Sequence, residues 1–251
     1  MRLSVSKFKF KTFMLSSALL LSFSANSALT LDGTRYIYNS DVNAIPVTVA
    51  NQADRLFGGQ IWLEQTSDTG DIPFAVVPNV FALEKGAKQV VQLSALESRS
   101  LSQTQESMFW LNLQEVPSKD KGMNVGNALV MAARIKVKLL YRPESIKKER
   151  KHAEEKIRLQ RDGASLVISN PTPYYFAVIS VAGSSTSSNS QLTSFAPFSQ
   201  LRLELPEREG DTIDFRAIDD WGAVNKFSCQ LLSTGQQCQF VKAEPIIRDD
   251  Q

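Results

Sequence analysis

Apolar and polar residues alternate through much of the chain after residue 28, most persistently at residues 128–143 (ALVMAARIKVKLLYRP). As a strand, this stretch puts Leu129, Met131, Ala133, Ile135, Val137, Leu139 and Tyr141 on one face. Val130, Ala132, Arg134, Lys136 and Lys138 fall on the other, because successive strand side chains point to opposite faces. Such a strand is longer than the usual range of about 3–10 residues. Its first half would be an exposed apolar edge, which soluble proteins avoid. The alternative is a shorter strand preceded by an ordinary loop.

Shorter runs precede it at residues 29–38, 44–50, 59–63, 74–81, 88–93 and 108–116, parted by turn-forming residues such as Asn39-Ser40-Asp41. Short strand patterns at this spacing, without sustained helical periodicity, predict an all-β sandwich. Residues 146–160 break the pattern. The charge run KKERKHAEEK within them is expected to be a solvated linker, helical at most. A second series follows at 164–169, 174–181, 201–205 and 212–218, with a polar loop at 183–190 and a hairpin around Cys229 and Cys238. The prediction is two all-β domains, residues 29–146 and 147–251, joined near 143–155.

The first 28 residues read differently. Arg2, Lys7, Lys9 and Lys11 precede an apolar run from 13 to 23 and then small residues. That order predicts a secretory signal peptide, too short to span a bilayer, cut after Ser27 or Ala28. No later apolar stretch is long enough for a membrane helix, so the mature chain is expected to be soluble outside the cytoplasm. The segment also takes four of the 28 basic residues and no acidic ones, leaving 24 against 26 and a net charge of −2. Nucleic-acid binding thereby loses its main support. An oxidising compartment gives the two cysteines a meaning. In SCQLLSTGQQCQF they flank a turn, and a disulfide across the hairpin is the simplest reading.

Catalysis finds little support. The single histidine, His152, lies in the charge run and is expected to be solvated, so a Ser-His triad or histidine metal cluster has no centre. No metal and no cofactor is expected. Asp219-Asp220 fits a turn or ion pair better than acid–base work, since neighbours on a strand point apart.

Six segments resemble the periplasmic chaperones of the chaperone–usher pilus pathway, the PapD-like family. They are Gly33–Tyr38 (GTRYIY), Glu106–Asn112 (ESMFWLN), Arg134–Pro143 ending in LYRP, Asn170–Tyr175 (NPTPYY), Ala196–Phe198 (APF) and Asp219–Ala223 (DDWGA). They stand in the family's order across nearly the whole mature chain. The resemblance implies two immunoglobulin-like sandwiches at an angle with a cleft between them. It also implies a function: binding, folding and capping pilus subunits by donor-strand complementation, then delivery to an outer-membrane usher.

By the same resemblance, Leu129, Met131 and Ala133 match the donor positions, Met131 and Ala133 departing from the commoner large aliphatics. The interval from Pro117 to Lys138 matches the family's short-loop branch. Arg35 and Lys138 match the pair that grips the subunit's C-terminal carboxylate; the alternative for them is a solvated edge charge. Glu106, Arg142 and Asp220 match a buried ion network between domains, with unrelated surface pairs as the alternative. A secreted fimbrial subunit or adhesive module is the competing function, an enzyme a distant third, and self-association of the free protein stays open.

Overall fold

Alternation becomes burial in the first nine strands. The computed structural model describes residues 27–66, 72–96, 100–117, 132–163, 165–182, 184–185, 189–204, 212–230 and 238–244. Its first strands are β1 (Leu29–Leu31), β2 (Arg35–Asn39), β3 (Ala44–Asn51), β4 (Phe57–Gln65), β5 (Phe74–Val77), β6 (Val80–Leu83), β7 (Lys88–Ala95), β8 (Ser107–Pro117) and β9 (Arg134–Arg142). They form two sheets in the orders β1-β3-β7-β5 and β2-β9-β8-β4-β6. The inward sets Val47/Val49, Ile61/Leu63, Val91/Leu93, Leu111/Leu113 and Leu139/Tyr141 are buried in one core. β2 runs parallel to β9, whereas β8 is antiparallel to it.

The second core is enclosed by β10 (Arg158–Asp162), β11 (Ser165–Ser169), β12 (Ala177–Val181), β13 (Ser184–Ser185), β14 (Gln200–Glu204), β15 (Thr212–Ile218), β16 (Val224–Gln230) and β17 (Cys238–Glu244). Their sheets are β10-β11-β14 and β13-β12-β15-β16-β17. Short helices α1 (Glu144–Lys147) and α2 (Ser190–Thr193) complete the chain with a 3-10 turn at Ala153–Lys156. Cys229 and Cys238 lie directly opposite on β16 and β17, buried and disulfide-bonded. The all-β, two-sandwich expectation holds.

Several details differ from the pattern reading. Residues 29–38 are two strands on opposite sheets, because the chain crosses over at Asp32-Gly33-Thr34. There the Asp32 carboxylate accepts from the Tyr36 hydroxyl at 2.6 Å and the Thr48 N–H at 3.1 Å. Residues 74–81 likewise split at Pro78-Asn79 into strands of different sheets. β9 begins at Arg134, so 132–133 are not strand; the Ala133 N–H is taken by the Glu115 side chain at 3.1 Å rather than by a ladder carbonyl. Residues 118–131, including Leu129 and Met131, lie outside the described residues.

The linker is the largest correction. Arg150 and Glu154 are buried rather than solvated, because they pair at 2.8 Å four residues apart and cancel each other's charge. Ile157 and Leu159 enter the second core, and a strand starts at Arg158, just past the charge run and within the stretch expected to break the strand pattern. His152 is half-buried, its ring 4.4 Å from that of Phe240.

Packing is tight where β4 crosses the core. A Cβ added at Gly59 would stand 2.4 Å from the Phe81 ring and 3.1 Å from Leu29. Gly59→Ala should therefore lower stability by about 1–3 kcal/mol, the usual cost of overpacking, and Phe81→Leu should recover part of the loss. Urea unfolding of the single and double variants checks this; additive effects would refute the contact as the cause.

Candidate binding cleft between the sandwiches

Parallel pairing of β2 and β9 sets Arg35 opposite Lys138. β2 starts at this pair, so the β9 edge from Arg134 to Val137 has β8 on one side and no strand on the other among the described residues. Its N–H and C=O groups on that side form an open template of a kind proteins seldom leave flat and apolar. The two cations therefore stand at the end of an unpaired strand edge.

Both reach the second sandwich. Lys138 Nζ donates to the Thr193 carbonyl at the end of α2, and Arg35 Nη1 donates to the Ile218 carbonyl at 3.2 Å. Arg35 Nε is buried without a hydrogen-bond partner among the described residues. Burial, with the Arg35 charge beside it, pulls the Lys138 ammonium down to about 8. Burial also lowers the Arg35 guanidinium, against the pull of Asp220 and Asp219. Two desolvated cations side by side, with neutral carbonyls as partners, form a site that an anion would satisfy. Neither is a plain solvated edge charge.

Below them the structure brings Glu106, Arg142 and Asp220 together. Arg142 Nε donates to Glu106 at 2.6 Å, and its two terminal nitrogens donate to Asp220 at 2.6 and 3.0 Å. The other Glu106 oxygen accepts the Tyr175 N–H at 2.7 Å. Glu106 immediately precedes β8 and Arg142 ends β9 in the first sandwich, while Asp220 lies in a turn and Tyr175 in a connecting segment of the second. Asp219 shapes the Asp220 turn by accepting the N–H groups of Trp221 and Ala223 at 2.9 Å each.

Comparison with known proteins fits this geometry. A family model described as "Pili and flagellar-assembly chaperone, PapD N-terminal domain" matches residues 28–147, and "Pili assembly chaperone PapD, C-terminal domain" matches 152–228. This chain belongs to the PapD family of pilus-assembly chaperones. The chaperone protein FanE of Escherichia coli is 36% identical over 213 residues, spanning 82% of this chain and 92% of FanE. The crystal structure of the YadV chaperone superposes with a TM-score of 0.65 at 26% identity, over 85% of this chain and 100% of that one. The Salmonella enterica SafB chaperone, solved with the SafA pilin, shares the fold: TM-score 0.70, 23% identity, 83% and 99% coverage.

Two parts of this chaperone's site were not legible in the sequence. Arg150 stacks over Tyr174 and Phe176 at 5.6 and 5.2 Å, donates to Glu154 at 2.8 and 3.0 Å, and stands 3.5 Å from Asp220. It joins the linker to the ion network. Burial opposes its charge, but Glu154 and Asp220 hold its pKa above the ordinary value. Glu115 accepts the Leu29 and Ala133 N–H groups at 2.9 and 3.1 Å, tying the start of β1 to the start of β9. Ala133 itself is exposed. The residue spacing of a strand or linker gives no sign of either tie.

Burial alone would raise the Asp220 pKa, but hydrogen bonds from Arg142 and the charges of Arg150, Arg142 and Arg35 hold it below the ordinary aspartate range. The resulting stability is complete above about pH 4, the unfolded value, and is lost as pH falls through the lower folded value. Asp220→Asn should weaken this acid dependence, while Arg142→Ala should cost about 3–5 kcal/mol at neutral pH by leaving Glu106 buried and unpaired. Urea titrations across the acid range check both; an unchanged acid limb in Asp220→Asn would count against the assignment.

Proposed function

We propose that this chain is a periplasmic chaperone that captures pilus subunits by strand pairing along the open edge of β9, anchors their C-terminal carboxylate on Arg35 and Lys138, and hands them to an outer-membrane usher. The observation that carries this is the coincidence of an edge at Arg134–Val137, unpaired among the described residues, with two half-buried cations at its end. Backbone bonds alone leave a strand free to slide by two residues without changing faces. A terminal carboxylate held at one end fixes the register. β9 runs toward Lys138, so a strand ending there lies parallel to β9 and end to end with β2. Leu129, Met131 and Ala133 would carry the same edge onward as donors; the first two lie outside the described residues.

The family and the capture reading favour secretion: residues 1–28 as signal peptide, 29–146 and 147–251 as the domains. No described helix is long and apolar enough to cross a membrane. A cut after Ala28 would leave the new amino group at Leu29, whose nitrogen is 2.9 Å from the Glu115 carboxylate. Glu106, Arg142, Asp220 and Arg150 would hold the angle at which the second sandwich meets the anchor.

Capture should be pH-dependent. A bound carboxylate raises the Lys138 pKa from about 8, so binding takes up a proton above that value. Affinity for a free-carboxylate subunit peptide should be full below about pH 8 and fall as pH rises, by at most about tenfold per pH unit. Lys138→Ala and Arg35→Ala should each lose about 10–100-fold, as each removes a charge-assisted bond of about 1.5–3 kcal/mol. Amidating the peptide should do the same. Calorimetric titration checks these, and a peptide indifferent to amidation would refute the anchor.

Leu129→Asp should abolish subunit capture and leave the free chaperone folded, since a buried carboxylate adds a desolvation cost to the lost apolar contact. Co-purification of a subunit with wild type and variant, alongside urea unfolding, checks it; an unfolded Leu129→Asp chaperone would place Leu129 in the internal core instead.

A further inference from the structure

Three strands carry a grid of side chains on the face opposite the first core. Register across β4, β8 and β9 sets Gln60, Gln114 and Arg134 in one row, Trp62, Asn112 and Lys136 in the next, and Glu64, Trp110 and Lys138 in the third. The Arg134 guanidinium lies over Trp62 at 4.9 Å, and Lys136 and Lys138 lie over Trp110 at 5.0 and 5.8 Å. Arg134 also donates to Asn112 at 3.0 and 2.7 Å. Glu64 is the one carboxylate in the grid, shared by Lys136 at 3.1 Å and by Arg134. Three cations against one acid leave a positive strip that runs down β9 from the anchor.

These side chains are exposed yet held. Arg134 and Lys136 retain 41% and 43% side-chain exposure, while the tryptophan faces and Asn112 fix where their charges sit. Cation–π contact of this kind is favourable even at exposed sites. They belong to the same residues whose backbone edge is open. A strand added to that edge lies about 4.8 Å away, and every second side chain of it falls beside this strip.

We propose that the Arg134–Lys136 strip reads the charge of the captured subunit strand, favouring subunits with acidic residues beside these two positions. The proposal rests on the strand-capture reading above and names what that site selects. With the terminal carboxylate at Lys138 and the strand parallel to β9, the preferred acids are the second and fourth residues before the subunit's terminus. Opposite charges facing across paired strands attract, and like charges repel. The intervening residues face the other side, where Ile135 and Val137 lead into the first core, and take apolar side chains.

The test uses the full-length chaperone and synthetic extended peptides with a free C-terminus and alternating valines. One carries glutamate at the second and fourth positions before the terminus, the other lysine; a third is the glutamate peptide amidated. Calorimetry at low salt should show the glutamate peptide binding about tenfold more tightly than the lysine peptide, a gap that narrows as salt screens the charges. Lys136→Gln should narrow it too, and Lys136→Glu should close or invert it. Equal affinity for the two free-carboxylate peptides, with amidation still weakening binding, overturns the strip and leaves the anchor standing. Binding insensitive to amidation overturns the capture reading itself. A wild-type dimer that Lys136→Glu dissociates, with neither peptide competing, would assign the face to a second copy of this chain and overturn the proposal.

Discussion

The fork of Arg142 is the contact on which the arrangement depends. One guanidinium holds Glu106 of its own sandwich through Nε and Asp220 of the other through both terminal nitrogens. It closes a gap that few apolar contacts could close with comparable directionality. Taking these charges from water is expensive, so each lone pair left unmet would count against the closure. Tyr175 N–H meets the second Glu106 oxygen, and Arg150 stands beside Asp220. The joint is therefore a set of directed bonds with a defined geometry.

That geometry makes the paired cations tolerable. Arg35 and Lys138 are neighbours across two parallel strands, and burial leaves them little water. The Ile218 and Thr193 carbonyls reach them only because the second sandwich is fixed in place. The negative ends of two peptide groups offset two positive charges incompletely. The lowered Lys138 pKa is the record of that deficit. A carboxylate arriving at the same point would bring the full charge that the carbonyls lack.

How much of this was legible depends on the range of the forces involved. The alternation of β9 is local, and Ile135, Val137, Leu139 and Tyr141 fall on the face it predicts. The cysteine hairpin is local as well. The split of residues 29–38 between two sheets is not, because it rests on pairing with two strands distant in sequence, β3 and β9. Arg150 and Glu154 mislead for another reason: a charge run reads as solvated when its charges are counted singly. Paired at i and i+4, with Arg150 laid on Tyr174 and Phe176, they behave as one neutral, buried unit. Arg35 and Lys138 stand out only through the family resemblance; their residue types by themselves favour a solvated edge charge.

An open strand edge is a liability for a protein that must stay unpaired until its partner arrives. Here the remedy and the use coincide. Arg134 and Lys136 put exposed like charges along the edge, so two copies approaching edge to edge in register would set cation against cation. Terminal position matters too: the edge stops where β2 begins, and on the proposed anchoring a strand without a free carboxylate would gain nothing from the half-buried pair there. Backbone hydrogen bonding is indiscriminate, since any extended chain offers it. Selectivity must then come from the side chains that flank the edge on its two faces and from what closes it at its end. The outer face and the end are both cationic in this chain, so on the proposed capture charge would add to the apolar fit of the inner face in telling a partner strand from a second copy.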